Sequence, residues 1–191
     1  MRPVRLDLDR SMVAAAREDP ARFDALYRKY VAQVYSFATY ELCDRHDAED
    51  VTARTFLSAL AALPGFSERT ADPDEPEASS FRVWLFTIAR HAIAEHRRAR
   101  RRHPVTELDA AIELADPTDP FRMVERREDA GSAWRAVADL PGDRRRAVVL
   151  RFVHEMTTAE IAAVLGRSEG AVRVLIHRAL RSVAADLDRR R

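Results

Sequence analysis

The 191-residue chain contains one cysteine, five glycines and a single lysine, and each scarcity closes off a class of protein. Cys43 has no partner for an internal disulfide, which excludes a disulfide scaffold and suits a reducing cytosol. The five glycines form no loop that would cradle a nucleotide phosphate. No run of eighteen apolar residues occurs, so no membrane insertion is expected. The opening Met1-Arg-Pro-Val-Arg-Leu-Asp-Leu-Asp has no apolar stretch of the signal-peptide kind. The six histidines also fall short of a site. Cys43 and His46 make one C-x-x-H pair, and His91, His96 and His103 are strung along a basic segment. None has a second ligand pair at zinc spacing, and no Ser/His/Asp arrangement is visible. The expectation is a cytoplasmic protein with no metal, no cofactor and no enzymatic activity.

What is abundant is charge, at 33% of residues, with a net value of only +1. That near-balance conceals strong patterning. Residues 81–104 carry seven arginines against Glu95 alone, and residues 123–191 carry fourteen arginines against ten acids. Residues 51–80 and 105–122 are acidic, the first through Asp72-Pro-Asp-Glu-Pro-Glu in an acidic loop over 71–78. Two basic segments separated by acidic ones fit two nucleic-acid faces. The exclusive use of arginine apart from Lys29 reflects genome composition more than chemistry.

Periodicity points to helices throughout. Asp19-Pro20 reads as an N-cap with proline in the first turn. Phe23, Leu26, Tyr27, Tyr30, Val31, Val34 and Phe37 or Ala38 then keep the three-four spacing of one buried stripe. A second helix is expected from about His46 to Leu63, ending before Pro64-Gly65. A third begins at Ser79 or Ser80, with Phe81, Trp84, Leu85, Ile88 and Ala92 on its apolar face and Arg97-Arg-Ala-Arg-Arg-Arg102 at its end. Pro104 to Pro120 has no helical period and reads as a linker. Four further helices are expected at about 121–138, 143–154, 158–165 and 168–187. The fold class is therefore all-α, two small helical domains joined by a flexible linker.

The last two helices carry the most information. Ile161, Ala162 and Leu165 share a face of the first, and Val172, Leu175 or Ile176, and Ala179 share a face of the second. Gly166 follows the last apolar residue, where a left-handed cap is cheapest. Ser168 offers an oxygen to the orphan amides of the next helix. This is the layout of a helix-turn-helix, whose second helix reads bases from the major groove.

Three segments in order extend that reading: Asp47-Ala-Glu-Asp-Val-Thr-Ala-Arg-Thr-Phe56, Phe81-Arg-Val-Trp-Leu-Phe-Thr-Ile-Ala-Arg-His91, and Leu140-Pro-Gly-Asp-Arg-Arg-Arg-Ala-Val-Val-Leu-Arg151 ahead of the helix-turn-helix. Together they resemble a bacterial RNA polymerase sigma factor of the extracytoplasmic-function group, in the sigma-70 family. The resemblance covers nearly the whole chain outside the linker and the extreme N-terminus. It implies a sigma region 2-like domain at 1–103, a linker at 104–122 and a region 4-like domain at 123–191. The implied partners are core RNA polymerase, through its beta-prime and beta subunits, and promoter DNA. An inhibitory anti-sigma protein is common in the family, although no residue here demonstrates one.

The resemblance also implies roles. Asp47, Glu49, Asp50, Val51, Arg54 and Phe56 fall on the helix that binds core polymerase, where Val51 and Phe56 would be an apolar anchor with a charged rim. The same residues admit a structural reading, with Val51 and Phe56 as core and the acids at a helix N-terminus. Arg82, Trp84, Phe86, Arg90, His91, Arg97 and Arg98 fall on the segment that opens the minus-10 element. Aromatic faces and arginines there would stabilise unpaired bases. Trp84 also sits on the apolar stripe, which favours core over base platform. His91 stands where an asparagine is common and Glu95 where an aspartate is common, and Ala71 to Ala78 lengthen the loop before this helix. Ser168, Glu169, Gly170, Arg173, Val174, His177 and Arg178 would face the minus-35 element, with Arg144, Arg145 and Arg146 on backbone phosphate. Leu175, where the family often has arginine, reads as packing. The competing function is a stand-alone helix-turn-helix regulator with an N-terminal sensing or dimerisation domain.

Overall fold

The computed structural model describes residues 9–68, 79–102 and 128–189, and among these every regular element is helical. The acidic loop 71–78, the linker 104–122 and the expected helix start at 121–127 lie outside the described residues.

Helix α1 spans Arg10–Glu18, an element without a counterpart in the periodicity. It buries only Val13 and Ala16, too few positions to establish a stripe from sequence. Asp19 then caps a short 3-10 turn at Pro20–Arg22, accepting from the Ala21 amide at 3.0 Å. Helix α2 spans Phe23–Leu42 and buries Phe23, Leu26, Tyr30, Val34, Phe37 and Ala38, as the spacing predicts. Tyr27, expected on that stripe, lies at its margin and is 43% exposed. Cys43 ends the helix in the left-handed region at φ 56°, donating its amide to Thr39 O.

Asp44 caps α3, Arg45–Ala62, by accepting from the Asp47 amide at 2.9 Å. Helix α4 spans Ser80–Arg102, and Ser79 Oγ accepts from the Arg82 amide in its first turn. A buried carboxylate ties these elements together. Asp9 accepts from Lys29 Nζ and Tyr30 Oη, each at 2.5 Å, and from Ser79 Oγ. Burial, then the neighbouring Asp9, raises the Tyr30 pKa above its ordinary value. The single lysine of the chain is thus bound to the residue that precedes α1.

The C-terminal half contains α5 (Glu128–Ala138), α6 (Gly142–Phe152), α7 (Thr158–Leu165) and α8 (Glu169–Arg189). Helix α7 opens on a capping box, in which Thr157 Oγ1 accepts from the Glu160 amide and Glu160 accepts from the Thr157 amide. Gly166 closes it at φ +63°, a conformation that costs other residues energy. Ser168 Oγ accepts from the Ala171 amide at 3.2 Å in the first turn of α8. Ile161, Ala162, Leu165, Val172 and Ala179 are buried and Leu175 is half-buried, the packing expected of a helix-turn-helix.

The two helical halves do not stand apart. Helix α7 packs on α4 and α6 packs on α2, and one apolar core runs from Val13 through Phe37 and Ile93 to Ile161 and Val172. Tyr40 of α2 meets Trp134 of α5 with ring centroids 5.3 Å apart. A smaller cluster of Val137, Leu140, Val148 and Ala179 completes the C-terminal half.

Candidate nucleic-acid interface

The exposed face of the helix-turn-helix is the start of α8. Ser168, Glu169, Gly170, Arg173, Val174, His177 and Arg178 are all exposed. The Gly166 cap turns the chain so that this end of α8 projects away from the core that Val172 and Ala179 enter. Arg173 Nη2 donates to Glu169 Oε2 at 2.8 Å, one turn apart on the surface. Such exposed pairs contribute little stability, so both side chains are available to a base edge.

The basic helix α4 is divided by burial. Phe86, expected as a stacking aromatic, is fully buried, with its ring centroid 5.3 Å from Phe37 and 5.1 Å from His154. It is a core side chain, covered by Phe37 of α2 on one side and by His154 on the other. Trp84 is half-buried against Phe66 and Phe81, at centroid distances of 4.9 Å and 5.6 Å. His91 and Arg98 are exposed, and Arg90 is half-buried with Nη2 3.0 Å from His91 Nε2. Arg82 and Arg97 turn inward instead. Arg82 Nη2 donates to His154 O, and Arg97 reaches Glu41 Oε2 at 3.0 Å.

Arg145, expected on phosphate, is also held within the protein. Its side chain is 15% exposed, donates to Ala138 O at 3.1 Å and lies 3.8 Å from Glu41 Oε1. Arg144 remains half-buried on the first turn of α6. Arg146, expected on phosphate with its neighbours, is held the same way, donating to Glu41 Oε2 at 3.0 Å, and no expectation attached to Glu41. Their meeting joins residues more than a hundred positions apart, a pairing that no local spacing signals.

On α3, Glu49, Asp50 and Arg54 are exposed, and Asp50 pairs with Arg54 at 3.5 Å. Val51 and Phe56 are buried, so they cannot form a surface anchor. Phe56 packs edge-on against Tyr27, with centroids 4.9 Å apart. Asp47 is committed to α4, with His96 Nε2 3.1 Å from one oxygen and Arg100 Nη1 on the other. The apolar residue on the open face is Leu57, 67% exposed, near Asp50 and Arg54 at helical spacing. The heptad-like offset 50–54–57 was readable in the sequence, but which face is covered was not.

His154 sits between Phe37 and Phe86 where the halves meet. Burial, reinforced by the Arg82 guanidinium, pushes its pKa down to about 4. The folded protein therefore binds fewer protons there than the unfolded chain between about 4 and the ordinary value near 6.5. The stability associated with neutral His154 is complete above that ordinary value and is lost as pH falls through the window. Denaturant unfolding of the parent and His154→Phe at several pH values should show a shallower decline for the variant. Superimposable pH profiles would remove His154 from the account.

An all-helical protein whose C-terminal half ends in a capped, outward-facing helix-turn-helix belongs to the class that reads DNA through a single helix. Two family models match, sigma-70 region 2 over residues 26–103 and sigma-70 region 4 over residues 131–183. The chain is 34% identical over 176 residues to the ECF RNA polymerase sigma factor SigC of Mycobacterium tuberculosis, covering 92% of this chain and 89% of that protein. It is 30% identical to the RNA polymerase sigma-H factor of Pseudomonas aeruginosa, covering 87% and 86%. The solved structure of CnrH in complex with the cytosolic domain of CnrY is similar, with a TM-score of 0.66 at 27% identity, covering 95% of this chain and 98% of that one. The chain belongs to the sigma-70 family of RNA polymerase sigma factors, in its extracytoplasmic-function group.

Proposed function

We propose that this chain binds core RNA polymerase and directs it to promoters, acting in the cytoplasm without catalytic activity of its own. Residues 1–103 engage core enzyme and the minus-10 element, residues 104–122 connect, and residues 123–191 read the minus-35 element. The observation that carries this reading is the exposed start of α8, presented on a helix-turn-helix within a sigma-70 family chain. Family membership favours it over the stand-alone regulator. The similarity to CnrH, solved in complex with the cytosolic domain of CnrY, supports a further protein partner beside core enzyme. Purified core enzyme, this protein and a two-element promoter should yield run-off transcript, whereas either protein alone should not. Tight, sequence-specific duplex binding by the isolated chain at physiological salt, with no stimulation of core enzyme, would favour the regulator instead.

Within that function the labour divides by helix. Arg173→Ala should weaken promoter use by about 1–3 kcal/mol through the upstream element, the value of one lost base contact. Arg90→Ala and Arg98→Ala should spare closed-complex formation and impair opening, because they lie beside the strands to be separated. Opening costs roughly 1.4 kcal/mol per stacked step, so a template already unpaired across minus-10 should rescue the α4 variants more than Arg173→Ala. Permanganate footprinting on duplex and pre-melted templates reads this directly, and equal rescue of both classes refutes the division.

A further inference from the structure

Helix α8 presents two residues that its own folding does not call for. Val174 is 47% exposed, although Val172 on the same helix is fully buried and Leu175 and Ile176 pack on the core. A β-branched side chain lowers helix propensity, and one left in water gains little from burial to offset this. Gly170, one turn earlier, has no left-handed backbone to require glycine, and a methyl group on its α-carbon would meet no atom within 4 Å. Alanine would suit a helix better there.

The two positions lie one turn apart and share a face. Their neighbours Glu169, Arg173, His177 and Arg178 are all exposed. The face thus joins a bare stretch of backbone, a stiff apolar side chain and two permanent cations. The arginines draw it toward a polyanion, and the glycine lets that partner come close to the helix. Valine has neither charge nor hydrogen-bonding group, so it can hold no phosphate and no polar base edge. Among the four bases only thymine carries an apolar group in the major groove, its 5-methyl. A helical valine is nearly confined to one rotamer, so its own methyls lose little freedom on such a contact.

We propose that Val174 determines specificity at one base pair of the minus-35 element by packing on the 5-methyl group of a thymine. The inference rests on the assignment of α8 to that element made above. Arg173 supplies the polar half of the readout and Val174 the apolar half.

The test uses the full chain with core RNA polymerase and a promoter library randomised across minus-35. Run-off selection should enrich thymine at one position with the parent, and Val174→Ala should lose that preference while keeping the others. Deoxyuridine at that position removes only the methyl. It should lower transcription by the parent about fourfold, the worth of one buried methyl-sized group. Val174→Ala should not respond to the exchange, whereas Val174→Ile, still apolar and branched, should. A selected element without thymine, a parent that tolerates deoxyuridine at every minus-35 thymine, or a Val174→Ala variant weakened equally on all sequences overturns the inference and leaves the sigma-factor reading intact. Run-off transcript from the parent with no preference across the randomised element overturns the placement of α8 there, and this inference with it.

Discussion

Phe86→Ala should destabilise the protein by about 3–5 kcal/mol, the usual cost of emptying a buried phenylalanine site. Its ring touches Phe37 and His154 and has no exposed surface, so truncation loses contacts on both sides and leaves a cavity between the halves. For a chain of this length that amounts to a drop of roughly 10 °C in melting temperature. Had Phe86 been a platform for an unpaired base, the variant would melt normally and fail only at promoter opening. Thermal unfolding followed by circular dichroism separates the two, and an unchanged melting temperature would return Phe86 to the DNA interface. The position shows how a helical wheel misleads at the margin of a stripe. Phe86 falls outside the face of Phe81, Leu85 and Ile88 counted from one partner, yet α4 is covered from two sides.

Asp50→Ala combined with Leu57→Ala should raise the dissociation constant for core polymerase by at least about 30-fold, near 2 kcal/mol, the lower bound for a hot-spot pair. Neither side chain is buried, and exposed substitutions usually change stability by only about 0.5 kcal/mol. The double variant should therefore stay helical while losing its partner. Phe56→Ala should behave in the opposite way. It removes the ring that packs on Tyr27 and Phe23 inside the N-terminal half, so it should lower stability first. Titration of each variant against core enzyme, beside its unfolding curve, separates surface from scaffold. A double variant that binds core as well as the parent would show that this face of α3 is not the contact.

Helix placement was largely legible in the sequence. The stripe from Phe23 to Phe37, the capping residue Asp19, the helix start at Ser79 or Ser80, and Gly166 with Ser168 each act within one or two turns, where spacing and local hydrogen bonding decide the backbone. Helix α1 escaped because a nine-residue element with two buried side chains carries almost no period. The exposed reading end of α8 was legible for the same reason that the turn was. A glycine cap and a serine cap determine where the helix starts, and the apolar positions determine which face is left over.

The fate of the charged side chains belonged to tertiary structure. An arginine on a polar helix face can meet a phosphate, water or a carboxylate from another element, and its neighbours in sequence do not say which. Arg97 and Arg145 find Glu41, Arg82 finds His154 O, and Asp47 finds His96 and Arg100. Residues 51, 56 and 57 show the apolar counterpart, since Val51 and Phe56 are covered while Leu57 is open. The sequence by itself determined an all-helical chain ending in a DNA-reading turn, because those features arise from interactions a few residues long. Which arginines are free to use that function was decided by the docking of α6 and α7 on α2 and α4, where long-range burial sets the cost of every unpaired charge.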